Sequence, residues 1–230
     1  MKYNNIIEAT FLERPNRFIA YAKLGDEVVT CHVKNTGRCK ELLIPGKSKV
    51  FLVDHGEGTA RKTRYSLVKV QKGDRLINMD SQAPNQIVQE WLEQGGLYPD
   101  ITFIKRECKY GNSRFDIYYE RGNGVKGFIE VKGVTLEEDD VARFPDAPTE
   151  RGVKHIYELI EARKDGYETN IVFVIQMTGI HHFEPNNETH KAFGDALCDA
   201  AMAGVNIVAI DCNVTKEAVW AKDYVDVRLD

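Results

Sequence analysis

The 230-residue chain has no apolar run that could cross a bilayer; stretches such as Ile171 to Ile175 fall far short of the ~20 residues a helical span needs. Its opening residues, Met-Lys-Tyr-Asn-Asn-Ile-Ile-Glu, lack the apolar core of a secretory signal. The five cysteines, Cys31, Cys39, Cys108, Cys198 and Cys212, are odd in number and scattered. They form no Cys-x-x-Cys or Cys-x-x-His pair, which argues against a disulfide framework and a structural zinc site. Repeats and low-complexity segments are missing too. Nor does one charge dominate: 31 Lys/Arg against 35 Asp/Glu give a net of −4, which argues against coating nucleic acid by bulk charge. What remains is a soluble cytoplasmic protein with reduced thiols, no membrane partner and enough chain to bury a core.

What is present is unevenly distributed. Residues 1–80 carry 15 Lys/Arg against 9 Asp/Glu, a net of +6, whereas residues 81–230 carry 16 against 26, a net of −10. A basic front and an acidic back indicate two parts with different tasks. The front reads as short strands at Phe18 to Leu24, Glu27 to Val33, Lys49 to Val53, Tyr65 to Val70 and Arg75 to Met79. Turn formers at Gly25-Asp26, Pro45-Gly46, Gly56-Glu57-Gly58 and Gly73-Asp74 separate them, and one helical turn is expected near Arg38 to Leu43. About five strands in so short a stretch fit a small β-barrel of the OB or SH3-like type.

The back half reads differently. Pro84 opens a helix with Ile87, Val88, Trp91 and Leu92 as its apolar stripe, and Gly95-Gly96 closes it. Strands follow at Thr102 to Tyr110, Arg114 to Tyr119 and Gly127 to Gly133, joined by Gly111-Asn112 and Gly122-Asn123-Gly124. A helix starts near Thr149 with Val153, Ile156, Tyr157 and Ile160 facing inward. Ile171 to Gln176 reads as a buried central strand. A helix at Glu188 to Ala203 and a strand at Asn206 to Ile210 complete a mixed α/β unit.

Chemistry concentrates between Asp116 and Lys132. Asp116 lies within the strand Ser113-Arg114-Phe115-Asp116-Ile117-Tyr118, and the next strand reads Phe128-Ile129-Glu130-Val131-Lys132. Side chains alternate along a strand, so Glu130 and Lys132 share one face and Ile129 and Val131 the other. Pairing of the two strands sets Asp116 beside Glu130. Two converging carboxylates suit Mg²⁺, and a neighbouring lysine could orient a water attacking a phosphodiester. The plainer alternative is an edge hairpin whose solvent face carries a cross-strand salt bridge. On the following helix Arg151, His155 and Glu158 form one polar stripe, facing either this site or solvent. Glu90, on the first helix, either completes the metal site or is exposed.

Longer strings carry a resemblance. Arg14-Pro15-Asn16-Arg17-Phe18, His32-Val33-Lys34-Asn35-Thr36-Gly37-Arg38, Ser113-Arg114-Phe115-Asp116, Ile129-Glu130-Val131-Lys132 with Val134-Thr135-Leu136, and Phe144-Pro145-Asp146-Ala147-Pro148-Thr149-Glu150-Arg151-Gly152-Val153-Lys154-His155 are its parts. Through them the chain resembles the sugar fermentation stimulation protein A family over essentially its whole length. The resemblance implies an OB-like DNA-binding barrel at residues 1–81. A restriction-endonuclease-like α/β domain of the PD-(D/E)XK type would follow at residues 82–230. It also implies a DNA partner, a connection with sugar (particularly maltose) metabolism genes, and a Mg²⁺ or Mn²⁺ cofactor. Asp116, Glu130 and Lys132 match the nuclease-like triad and Glu90 the acid on its first helix. Arg151 and His155 fall where such folds place phosphate-contacting groups.

The basic front half is expected to hold the phosphate backbone. Arg14, Arg17, Lys34, Arg38, Lys40, Arg61, Lys62 and Arg64 are the candidates, with Asn35-Thr36-Gly37-Arg38 as a polar turn and Arg61-Lys62 after a glycine-rich one. The acidic run Glu137-Glu138-Asp139-Asp140 reads as a solvated loop and His181-His182 as a surface turn. Three functions follow: a Mg²⁺-dependent nuclease, a catalytically silent DNA-binding regulator, and an enzyme acting on a small phosphorylated compound.

Overall fold

A computed structural model describes residues 1–35, 37–111 and 113–229. Thr36 of the polar turn and Asn112 of the Gly111-Asn112 turn, both singled out in the sequence, lie outside the described residues. Among the described residues, no helix is long and apolar enough to cross a membrane.

Six strands build the first half: β1 (Ile6–Asn16), β2 (Ile19–Leu24), β3 (Glu27–Val33), β4 (Lys49–Asp54), β5 (Tyr65–Lys72) and β6 (Arg75–Asn78). Strand β1 pairs with both β2 and β4, β2 with β3, and β4 with β5, while a parallel β3–β5 contact closes the ring. This is a five-stranded OB barrel, with β6 appended to β5. Ala20, Ala22, Cys31, Val50, Leu52, Leu67 and Val70 fill its interior completely shielded from solvent. Between β3 and β4 the amides of Leu42 and Leu43 both bond the Cys39 carbonyl, the single helical turn the sequence anticipates. Leu42 and Leu43 join the barrel core.

The second half holds α1 (Ala83–Glu93), β7 (Ile101–Tyr110), β8 (Ser113–Arg121), β9 (Lys126–Val134), β10 (Leu136–Glu138) and β11 (Val141–Phe144). It continues through α2 (Glu150–Lys164), β12 (Glu168–Ile175), β13 (His182–Pro185), α3 (Asn187–Met202), β14 (Asn206–Val214) and β15 (Val219–Val227). One mixed sheet runs β10-β11-β13-β15-β14-β12-β9-β8-β7, with β9, β12 and β14 parallel at its centre. Ile87, Val88 and Leu92 of α1 pack on Ile129, Val131, Val172 and Val174. On the opposite face Ile156 and Leu159 of α2 and Phe193 and Leu197 of α3 pack on Phe128, Ile171 and Phe173. The sheet is thus sandwiched between helices.

Several expectations need correction. The acidic run is not a solvated loop: Glu137 and Glu138 lie on β10, and Asp139 and Asp140 make a tight turn into β11 with φ of +52° and +62°. Glu137 is buried because its carboxylate meets Lys72 at 2.7 Å and Arg75 at 3.2 Å. His182 is not in a surface turn but opens β13, its Nε2 3.4 Å from Glu184. Tyr157 points outward and donates to Asp199, while Leu159 and Ala162 take the inner positions on α2. Strands β1, β10, β11, β13 and β15 go beyond the expected elements.

The barrel and the sheet are stitched together. Asn78 bonds Gln176 through its amide, at 2.9 Å, and its side chain, at 2.6 Å. Buried Asp80 receives Lys34 at 3.0 Å, and the Ser81 amide bonds the Lys34 carbonyl. Lys69 donates to the Lys216 carbonyl at 2.9 Å and lies 4.0 Å from the Tyr3 ring centre. The first residues pair across as well, with Lys2 opposite Ala218 and the Tyr3 amide on the Glu217 carbonyl.

Candidate functional site

The site forms where the β8–β9 ladder gives way to side-chain bonding. Paired residues begin at Ile117 opposite Ile129, so Asp116 stands one step beyond, level with Glu130. There the Asp116 Oδ2 atom accepts the Val131 amide at 2.8 Å. Its Oδ1 accepts from Asn85 at the start of α1, also at 2.8 Å. Because β9 lies between β8 and β12, Glu130 belongs to the interior of the sheet, which removes the edge-hairpin alternative. Alternation sends Ile129 and Val131 to the α1 face and leaves Glu130 and Lys132 on the α2 face.

Glu130 is 3% exposed, and its two oxygens have different surroundings. Oε1 receives Lys132 Nζ at 2.6 Å and His155 Nδ1 at 2.5 Å. Arg151 Nε donates to the other ring nitrogen of His155 at 3.3 Å, a network that fits the Nδ1–H tautomer. Oε2 is buried and has no hydrogen-bond partner among the described residues. An orphaned carboxylate oxygen in the interior is costly.

The two carboxylates differ electrostatically. Burial, reinforced by the nearby Glu130 charge, holds Asp116 above the usual carboxylate range. Burial pushes Glu130 up as well, but the hydrogen bonds of His155 and Lys132 and the Lys132 charge outweigh it, and Glu130 lies below its ordinary value. Both face a cleft of about 350 Å³ lined also by Ser81, Asn85, Arg114, Lys132, Arg151 and His155. Helix α2 is set on this cleft by its cap, Thr149 Oγ1 accepting the Gly152 amide at 3.1 Å.

The donor set fits a hard divalent cation. Two carboxylates, one with a free buried oxygen and one whose charged form burial disfavours, gain most from a positive ion. Among the described residues no group of three or more His, Cys, Asp or Glu side chains is arranged to hold a metal.

Asp116, Glu130, Lys132, Arg151 and His155 are therefore brought together, and Glu90 is not. It does not line the cleft; its Oε2 lies 2.5 Å from the Met1 nitrogen, and its Oε1 accepts from Gln86. The front-half cations disperse. Arg14 is not an open phosphate contact, since its guanidinium donates to the carbonyls of Arg17, Asn35, Gly37 and Arg38. Arg64 grips Asp54 through two 2.7 Å bonds, and Lys34 is paired with Asp80. Arg17 stacks on exposed Phe18, and Arg61 and Lys62 are exposed. The Asn35 side chain accepts the Gly37 amide, closing its turn. Asn35 borders a neighbouring cleft of about 320 Å³, and Arg38 and Lys40 a further one of about 630 Å³.

Asn85, Ser81 and Arg114 are site residues that sequence reasoning missed. Asn85 had a usable signal, a polar side chain directly after the helix-opening Pro84. Ser81 had none, because its place depends on how the barrel docks on the sheet.

Comparison with known proteins agrees with this architecture. The family model for the sugar fermentation stimulation protein RE domain matches residues 82–218, and that for the SfsA N-terminal OB domain matches residues 12–79. The sugar fermentation stimulation protein homolog of Clostridium beijerinckii is 57% identical over 229 residues, covering 100% of both chains. Its counterpart from Desulfitobacterium hafniense is 56% identical, covering 100% of this chain and 99% of its own. The solved structure of Pyrococcus furiosus SfsA in complex with Ca²⁺ superposes with a TM-score of 0.88 at 28% identity, over 99% of this chain and 98% of that one.

Proposed function

The chain belongs to the sugar fermentation stimulation protein family, and on that premise we propose that it binds DNA and hydrolyses phosphodiester bonds with a divalent cation, Mg²⁺ or Mn²⁺, held by Asp116 and Glu130. The observation that carries this reading is the buried, unpartnered Oε2 of Glu130 beside Asp116, a carboxylate whose charged form burial disfavours. The relative from Pyrococcus furiosus is described with Ca²⁺, an oxygen-seeking ion of the same charge. In this reading residues 1–81 form the DNA-binding barrel and residues 82–230 a nuclease-like domain of the PD-(D/E)XK type, working in the cytoplasm.

When bound, such a cation supplies Lewis-acid chemistry at a phosphate oxygen. The protein groups do the rest. Asn85 and the Val131 amide fix the Asp116 carboxylate, and His155 fixes Glu130. Lys132, 14% exposed at the cleft, orients the attacking water and stabilises charge developing on the phosphate. Arg151 faces the same cleft and neutralises a phosphate oxygen. Hydrolysis consumes one water: its oxygen bonds to phosphorus, one P–O ester bond breaks, and the departing oxygen gains a proton.

One observation favours a second reading, a silent DNA-binding regulator of sugar (maltose) metabolism genes. Lys132 Nζ sits 2.6 Å from Glu130 and already neutralises it. Incubation of the purified protein with single- and double-stranded DNA and RNA, with Mg²⁺ or Mn²⁺, separates the two. Turnover predicts cation-dependent cutting that falls about 100-fold or more in Lys132→Ala and Glu130→Gln. If the wild-type protein leaves every substrate uncut, the silent reading stands.

A further inference from the structure

Six of the fifteen cations of residues 1–80 are engaged within the fold. Lys34, Arg64, Lys72 and Arg75 are paired with carboxylates, Arg14 is bound to carbonyls, and Lys69 is buried. Lys132 apart, the cations lining the cleft of Asp116 and Glu130 are Arg114 and Arg151 of the second half. A second cleft, of about 480 Å³, opens along the start of α2 and is lined by Lys109, Ser113, Arg114, Arg151, Lys154 and His155. It shares Arg114, Arg151 and His155 with the carboxylate cleft, so the two adjoin. Among the described residues no carboxylate lines it. Arg114 meets Glu107 at 3.3 Å and Lys154 meets Glu158 at 3.6 Å, but both cations are 61% exposed, where such pairs are weak.

Another neighbour is acidic. At Ser81 and Thr149 the carboxylate cleft adjoins the one bordered by Asn35 and Asp146. Beyond it lies the hollow ringed by Glu41, Glu138, Asp139, Asp146, Glu184 and Glu188, against which stand only Arg38, Lys40 and Arg143. A polyanion leaving the site is therefore attracted on one side and repelled on the other.

Building on the proposed nuclease reading, we propose that Lys109, Arg114, Arg151 and Lys154 form a phosphate track that delivers DNA to Asp116 and Glu130 from the β7–β8 hairpin and α2. This track, and not Arg61 and Lys62 of the barrel, supplies the phosphate contacts beside the carboxylates. Lys109 and Arg114 face each other across that hairpin, so two cations are presented side by side. Arg61 and Lys62 line none of the three adjoining clefts around the carboxylates.

Fluorescence anisotropy with labelled 20-mer single-stranded and duplex DNA, in Ca²⁺ and in chelator, tests the track on the full chain. Three double variants alter exposed cations equally: Lys109→Glu with Lys154→Glu, Arg61→Glu with Lys62→Glu, and Lys23→Glu with Lys47→Glu. Thermal melting checks that each folds. The first is expected to weaken binding about 10-fold or more and to lower the slope of log affinity against log salt by about two; the others change it less than about twofold. Unchanged affinity in the first variant, or an equal loss in either of the others, overturns the track while DNA binding stands. If the wild-type protein binds neither DNA, the proposed function fails along with it.

Discussion

Asp116 is the residue that carries the tension of the site. Its carboxyl is held above its ordinary value by burial and by Glu130, so ionisation costs stability that a bound cation would offset. Asp116→Asn is therefore expected to raise stability in chelator by about 1 kcal/mol and to abolish any further gain from Mg²⁺ or Ca²⁺. Thermal melts of both proteins, with and without the ion, check this. A variant that melts lower in chelator and still gains from the ion would count against it. Asp116, Glu130 and Lys132 were legible because strand alternation and pairing suffice to converge them. The direction of Glu90 depends on which face of the sheet α1 covers, and periodicity is blind to that. Arg14 and Arg64 looked like free cations because their acceptors are set by the fold, the Asn35 to Arg38 carbonyls lying 21 or more positions from Arg14.

Helix α2 is the element on which the site's geometry depends, since it carries both Arg151 and His155. Removing its cap with Thr149→Ala is expected to cost about 1 kcal/mol in urea unfolding. The substitution should also loosen His155 from Glu130, visible as an altered imidazole resonance by NMR; a variant as stable as wild type, with an unmoved resonance, would contradict this. Four of the five strands sequence reasoning overlooked have a physical reason. Strand β1 buries only Ala9 and Phe11 and slips register twice, so alternation is blurred. Strands β10, β11 and β13 are three or four residues long, too short for a periodic signal. The acidic run became strand and turn because Lys72 and Arg75 of the barrel neutralise it, a long-range partnership. The uninterrupted apolar run at β12 was readable because both faces of that strand are buried.

At the scale of the whole molecule, the joint between barrel and sheet holds a buried lysine. Burial lowers Lys69 to about 8, against an ordinary value near 10.5. Below its folded value the charged amine opposes folding. Between about pH 8 and 10 the unfolded chain binds the extra proton, so this group makes stability rise with pH. Lys69→Met should flatten that rise, measured by denaturant unfolding across the window; an unchanged slope would show that Lys69 does not supply it. The charge asymmetry has a second consequence. Asp116 and Glu130 repel a phosphate backbone until a cation occupies them, so DNA affinity should increase several-fold on adding Ca²⁺. That increase should vanish in Asp116→Ala, as read by titration at constant ionic strength. The net charge of −4 therefore conceals a surface whose sign near the site is set by the ion.

The pairing of Lys2 and Tyr3 with Ala218 and Glu217 also orders events during synthesis. Residues 2 and 3 are made before the barrel strands, yet their partners at 217 and 218 follow only after every other strand except β15. The barrel ring can close while the second half is still being translated, but its entrance strand stays untethered at one end until Glu217 and Ala218 have been made. A nascent chain stalled before Glu217 would thus carry a closed barrel whose residues 2 and 3 lack their partners.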